Sequence, residues 1–304
     1  MEYVLQTKIL CKSYGRFKAL NGVTMNVPKG SIYGFVGKNG AGKTTLIRMI
    51  CGLQQPSSGE YILYGRRSTV KTVAKARRRM GAVVEIPSIY LDMSAEENLK
   101  QQYCILGLPS FAGLNELLEL VGLHQTGKKK AKNFSLGMRQ RLGIAISLVG
   151  NPDFLVLDEP TNGLDPQGII EIRELILKLN HERQITVLIS SHILDELSKL
   201  ATHYGFIDGG RIVKETSALD LQAECRKCVR MVVTSTKALA CVLDEMKVEY
   251  EILSETKADV FAEIKVSLLV LALEKMQCEV ISIQDHDESL ESYYMSLVGG
   301  GHHA

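Results

Sequence analysis

The chain has 304 residues, of which 45% are hydrophobic and 23% charged. That is long enough for about two domains and too apolar for a disordered chain. Its 36 basic and 34 acidic side chains leave a net charge of +2, a field too weak for a dedicated nucleic-acid binder, so no nucleic-acid partner is expected. The apolar run Leu268 to Leu273 is bounded by Ser267 and Glu274, far short of the ~20 residues that span a bilayer. The N-terminus lacks the charged-then-apolar layout of a secretory signal. Seven scattered cysteines point to reduced thiols and a cytoplasmic setting.

In chain order, Tyr3 to Val27 reads as short extended runs, punctuated by Pro28-Lys29-Gly30. Ser31 to Val36 is a buried strand that ends in a glycine-rich loop, and TTLIRMICGL follows with helical spacing until Gly52 and Pro56 stop it. EYILYG is a strand, Lys71 to Arg79 a basic helical face and GAVVE another strand. Ser94 and Glu97 fit a capping box that opens a helix to about Leu106. Helices are expected over Leu114–Val121, Leu136–Val149, Gly168–Asn180 and Ile193–Leu200, with strands at Phe154–Leu157 and Thr186–Ser190. Strands alternating with helices predict a three-layer α/β domain with a largely parallel sheet.

After about Leu221 the pattern changes. Strands at Val229–Thr234, Val248–Ser254, Ala258–Val266 and Glu279–Gln284, with helices at Lys237–Met246 and Leu268–Met276, give the order β-α-β-β-α-β of a small, ferredoxin-like α+β domain. A last helix is expected over Glu288–Leu297. The division is thus 1–221, 222–298 and a disordered tail 299–304.

The chemistry starts at Gly37-Lys38-Asn39-Gly40-Ala41-Gly42-Lys43-Thr44, which fits G-x-x-x-x-G-K-[ST] between a strand and a helix. Glycines let backbone N–H groups turn inward around phosphate oxygens, and the helix N-terminus adds partial positive charge. Lys43 then reaches the terminal phosphates and Thr44 ligates Mg²⁺. Asp158 and Glu159 follow an apolar strand, where the strand end of a parallel sheet opens at a ligand crevice. There Asp158 suits Mg²⁺ and Glu159 suits a general base for an attacking water.

With these two motifs comes a third, Phe134-Ser135-Leu136-Gly137-Met138-Arg139-Gln140-Arg141. It resembles the signature motif of ATP-binding cassette proteins, in a form with leucine at the third position. The order of the motifs resembles that family as well: Pro160 to Asp165 looks like the D-loop region, Ser191-His192 like the switch histidine, and Tyr14 stands where an adenine-stacking aromatic is expected. The resemblance covers Tyr3 to about Leu221. It implies a P-loop ATP-binding cassette domain with a helical subdomain at about 86–150, an ATP hydrolase using ATP and Mg²⁺, and Thr45 beside Thr44 in the nucleotide site. Ser135, Leu136, Gly137 and Met138 are implied to close the site of a partner chain. An ATP-bound homodimer, integral-membrane permease subunits as partners and a place at the inner face of the cell membrane follow from the same resemblance.

One position departs from the family. Glu85 stands where glutamine is usual, and an ionised glutamate can only accept hydrogen bonds. A further anion near a triphosphate needs the metal or a basic residue to balance it, so Glu85 is a candidate both for catalysis and for the metal. In this it resembles the exporters that protect bacteria from bacitracin and lantibiotic-type peptides; the alternatives are export of a drug, an ion or a polysaccharide, and a soluble cassette protein without a transport role. Cys225 and Cys228 have the spacing of a ligand pair, but Cys241 and Cys278 do not, and all four are read as thiols. The basic runs Arg77–Arg79 and Lys128–Lys132 are read as solvated faces.

Overall fold

The computed structural model describes residues 2–224, 227–261, 266–287, 293, 294 and 297. The expected last helix, apart from Tyr293, Tyr294 and Leu297, lies outside them, as do the tail 299–304 and the Cys225-Arg226 dipeptide. The chain divides into two compact units, Met1–Ala218 and Leu219–Ala304.

The first unit opens with a long hairpin, β1 (Tyr3–Tyr14) and β2 (Phe17–Pro28), followed by β3 (Ile32–Val36), α1 (Lys43–Ile50), β4 (Ser58–Leu63) and β5 (Arg66–Arg67). Next come α2 (Val73–Arg77), β6 (Met80–Val83), α3 (Ala95–Ile105), α4 (Leu114–Leu120), α5 (Leu136–Leu148) and β7 (Phe154–Asp158). The unit is completed by α6 (Pro166–Arg183), β8 (Thr186–Ser191), α7 (Leu194–Ser198), β9 (His203–Asp208) and β10 (Arg211–Ser217), and α8 (Ala218–Glu224) follows. The short extended runs expected before Val27 are thus two 12-residue strands whose pairing is interrupted by register shifts. Bulges of this kind admit polar residues without ending the pairing, which is why the run looked broken.

Two sheets result. One is antiparallel, ordered β2-β1-β4-β5, and the other is six-stranded, ordered β10-β9-β3-β8-β7-β6. In the second, β9, β3, β8, β7 and β6 pair in parallel, and only β10 runs antiparallel. Every residue of β3, β7 and β8 is buried, as a sheet covered on both faces requires. On one face Tyr33, Phe35, Val156 and Leu188 share a core with Leu46, Ile47 and Ile50 of α1 and with Leu5, Leu20 and Val23 of the hairpin. α1 is therefore clamped between two sheets, which fixes the loop at its N-terminus.

The Ser94 capping box forms as expected: Ser94 Oγ accepts from Glu97 N at 3.2 Å, and Ser94 N donates to Glu97 Oε2 at 2.6 Å. Two glycines bring α5 against the β6 edge. A Cβ at Gly81 would collide with the backbone oxygen of Ser147, and one at Gly143 would come 2.5 Å from Pro87 Cβ, in the segment after β6. Among the described residues no helix is long and apolar enough to cross a membrane.

The second unit holds β11 (Lys227–Val233), α9 (Thr236–Glu245), β12 (Tyr250–Ile252), β13 (Lys257–Val260), α10 (Val266–Lys275) and β14 (Val280–Asp287). Its sheet is antiparallel in the order β12-β13-β11-β14. Met231, Val233 and Val260 pack on Leu239 and Leu243 of α9 and on Leu269 and Leu273 of α10. Arg230, on the opposite face by alternation, makes a bidentate pair with buried Asp259 at 2.7 and 2.6 Å. Val266, expected to end a strand, instead opens α10. The mixture of apolar and β-branched residues there suits either state, and packing on the sheet decides it.

Gly81→Ala should lower stability by about 1–3 kcal/mol, because the added methyl must push α5 off β6. Urea unfolding checks this through a lowered midpoint with an unchanged slope.

Candidate functional site

The phosphate loop joins β3 to α1, and its glycines are needed sterically. A Cβ on Gly37 would come 2.5 Å from the Ile207 carbonyl oxygen, and one on Gly42 would come 2.7 Å from that of Ala19. Gly42 also has φ +111 and is the N-cap of α1, with no side chain capping the helix. The first N–H groups of α1 thus start without a side-chain partner, the condition for receiving an anion. Lys38, Asn39 and Gly40 are exposed, Ala41, Gly42 and Lys43 are buried, and Thr44 and Thr45 are half-buried.

β8 lies between β3 and β7, with Val36 level with Ser191 and Asp158 level with Ser190. The three strand ends therefore meet at one crevice. Lys43 Nζ donates to Gly37 O at 2.5 Å and stands 3.1 Å from Glu159 Oε1. The other oxygen of Glu159 is 2.8 Å from His192 Nδ1. Glu159 links the loop lysine to the residue after β8, three positions that sequence order keeps far apart.

Ser190 organises the carboxylates. It is fully buried, and its hydroxyl donates to Asp158 Oδ1 at 2.6 Å while accepting from Glu159 N at 3.0 Å. Asp158 Oδ2 is buried with no hydrogen-bond partner among the described residues. Burial pushes the Asp158 carboxyl above the usual carboxylate range; the hydroxyls of Ser190 and Thr44 pull it down, and the charges of Glu159 and Glu85 push it up again. An unpaired, buried carboxylate oxygen with a threonine hydroxyl beside it is a donor set for a hard divalent cation. Ser190 was not singled out from the sequence, since serines at strand ends are common; its level with Asp158 appears only once β8 and β7 pair.

Glu85 and Glu159 occupy matching positions. β6 and β7 pair in parallel with Val83 level with Leu157, and each glutamate follows two residues later. Both adopt the left-handed backbone region, with φ +59 and +48. That conformation costs an L-residue about 1 kcal/mol or more and is characteristic of functional turns. Glu85 is turned to Arg48, with Oε1 2.7 Å from Nη2.

The remaining candidates stand elsewhere on this unit. Ser135 is the N-cap of α5, its hydroxyl accepting from Met138 N at 3.2 Å. Leu136 is exposed and Gly137 half-buried; a Cβ at Gly137 would meet nothing of its own chain closer than 3.9 Å. A side chain there would meet only ordinary contacts, so packing within the chain does not require glycine. Asp165 caps α6 by accepting from Gly168 N at 3.1 Å. Thr161 donates to Glu196 of α7, tying the segment after Glu159 to the helix after His192. Tyr14 is exposed at the end of β1 and donates to Gln54 Oε1 at 2.5 Å. Phe17, exposed at the paired position of β2, is a second aromatic there that the sequence reading missed. Among the described residues no cysteine cluster suits a metal; Cys228 and Cys278 are buried and Cys241 is exposed.

A glycine loop on a clamped helix, an adjacent carboxylate pair and a histidine after the intervening strand define a P-loop nucleotide hydrolase. Comparison narrows the class. Residues 20–162 match the ABC transporter family. The chain is 40% identical to the bacitracin transport ATP-binding protein BcrA of Bacillus licheniformis, over 99% of both chains. It is 46% identical to the lantibiotic transport ATP-binding protein SrtF of Streptococcus pyogenes, covering 70% of this chain and 90% of that one. The structure resembles the dimeric, post-hydrolysis ATP-binding cassette MJ0796 bound to ADP and Pi, with a TM-score of 0.63 and 25% identity over 70% of this chain and 98% of that one. The chain belongs to the ABC transporter family, as an ATP-binding subunit that hydrolyses ATP.

Ser190→Ala should cut hydrolysis at saturating ATP about tenfold and cost about 1–3 kcal/mol of stability, because it strands a buried carboxylate oxygen. Ser190→Thr should recover most of both. Steady-state ATPase assays and thermal unfolding of the two variants check it.

Proposed function

We propose that this chain powers a bacterial exporter of peptide antibiotics, acting on separate integral-membrane permease subunits at the inner face of the membrane. The observation that carries the site reading is the meeting of Lys43, Asp158, Glu159 and His192 at one crevice. What supports the cargo is the similarity to BcrA, which runs through both units of the chain, together with Glu85.

The amides of Gly40, Ala41, Gly42 and Lys43 and the side chains of Asn39, Thr44 and Thr45 receive the phosphates, and Tyr14 offers its exposed ring to the base. Lys43, now shared between Gly37 O and Glu159, transfers its charge to the phosphates when ATP enters. Glu159 is then released from one cation and can accept a proton from water, while His192 holds its other oxygen. Thr44 and the unpaired Asp158 Oδ2 would hold Mg²⁺, with Glu85 as a further candidate ligand. The ion's contribution is to offset charge on the phosphate oxygens.

Ser135, Leu136, Gly137 and Met138 start a helix and form a second phosphate cradle. Because a Cβ at Gly137 would meet only ordinary contacts, with Gly168 and Leu164 at 3.9 Å, its own chain does not require the glycine, and that cradle is read as serving a partner chain. Two chains then enclose two ATP molecules, with Asp165 in the segment between the sites, and hydrolysis reopens the dimer. This gives the ATP-biased two-state element that a transport cycle needs.

Glu159→Gln should retain ATP affinity, lose hydrolysis by about a hundredfold or more and accumulate an ATP-dependent dimer. Calorimetry, phosphate release and size-exclusion chromatography test the three parts. Normal turnover would remove Glu159 as the base. Recovery of that variant from native membranes with ATP, followed by identification of what accompanies it, tests the permease.

A further inference from the structure

Three carboxylates stand at or just beyond the ends of β7 and β6, and two of them meet Lys43, Ser190 and His192. Asp158 and Glu159 end β7, and Glu85 stands level with Glu159 beyond the neighbouring strand. Glu159 is flanked by Lys43 and His192. Glu85 is close enough that its charge disfavours ionisation of Asp158, and Arg48 is its ion-pair partner, at 2.7 Å.

Arg48 is not placed at random. It lies four residues after Thr44 on α1, so both side chains project from the same helical face, one turn apart. α1 is the helix whose N-terminus is the phosphate loop and whose body is clamped between two sheets. The base of the Arg48 side chain is therefore fixed relative to the loop, and the backbone at Glu85 lies in the left-handed region. The pair forms one wall of a groove of about 390 Å³, which also includes Leu53, Ile86, Gly143 and Ile146. Pro87, packed on Gly143, anchors the chain just beyond Glu85.

We propose that Arg48 is the positioning residue for Glu85: its guanidinium holds and neutralises the extra carboxylate so that a triphosphate can enter beside it. The inference rests on reading the crevice as the ATP site. Binding brings several negative charges to an edge that already carries three carboxylates, and it draws Lys43 away from Glu159. A carboxylate at position 85 without a countercharge would repel the incoming phosphates. Arg48 does this work through Glu85 and needs no contact with the nucleotide.

A double-mutant cycle on the full chain tests it, with ATP binding measured by calorimetry at low salt in EDTA. Arg48→Gln is expected to weaken ATP binding roughly fivefold or more when Glu85 is present, and less than about twofold in the Glu85→Gln chain. The difference between backgrounds should shrink as salt is raised, because the pair is partly exposed. Equal losses in both backgrounds would overturn the proposal, since Arg48 would then touch ATP itself. No loss in either background would overturn it too. Should Arg48→Gln fail to fold, Arg48→Met keeps the apolar stem of the side chain and carries the same cycle. Failure of the wild-type chain to bind ATP would instead refute the reading of the crevice on which the inference stands.

Discussion

The site is organised around a buried carboxylate that its own fold only half satisfies. Asp158 ends a strand with every residue buried, one oxygen is bound by Ser190, and the other has no partner among the described residues. Burying an unpaired charge is expensive, so it persists only where something else supplies the missing partner. The surrounding features can be understood as consequences. β8 must lie next to β7 for Ser190 to reach Asp158, and that order places His192 beside Glu159 and leaves β3 on the other side of β8 to deliver Lys43. The crevice then holds a cation-hungry oxygen, a lysine that can change partners and a glutamate braced by two neighbours.

The structure also ties this crevice to the rest of the unit mechanically. α5 begins at Ser135 and lies against β6 through Gly81 and against Pro87 through Gly143. The segment that carries Glu85 is thus held by the helix that Ser135 caps. Thr161 and Glu196 make a second link, between the segment after Glu159 and α7. Packing thus reaches from the β6 edge to α5 and from the segment after Glu159 to α7.

Much of this was legible in the sequence, for a physical reason. The phosphate loop and Asp158-Glu159 are contiguous runs whose chemistry needs neighbouring residues, so spacing exposes them; Ser135 to Met138 stood out only through the family resemblance. The capping box at Ser94 is of the same kind. Ser190 and Arg48 escaped notice because their roles depend on pairing between strands and on one helix face. A serine or arginine carries no local sign of that. Glu85 was visible as a departure, but its countercharge was not, because Arg48 lies in a helix that reads as ordinary amphipathic sequence. The bulged hairpin and the start of α10 misled for the opposite reason: local patterns there fit two states, and packing chooses.

On the proposed reading, each chain carries two half-sites, the phosphate loop and the helix capped by Ser135, that a second copy completes. Specific ATPase activity measured over a hundredfold range of protein concentration, alongside sedimentation, tests this most directly. Hydrolysis per chain should fall as the protein is diluted to monomer, while ATP affinity for the phosphate loop persists. Constant activity per chain in a solution that sediments as monomer would contradict it.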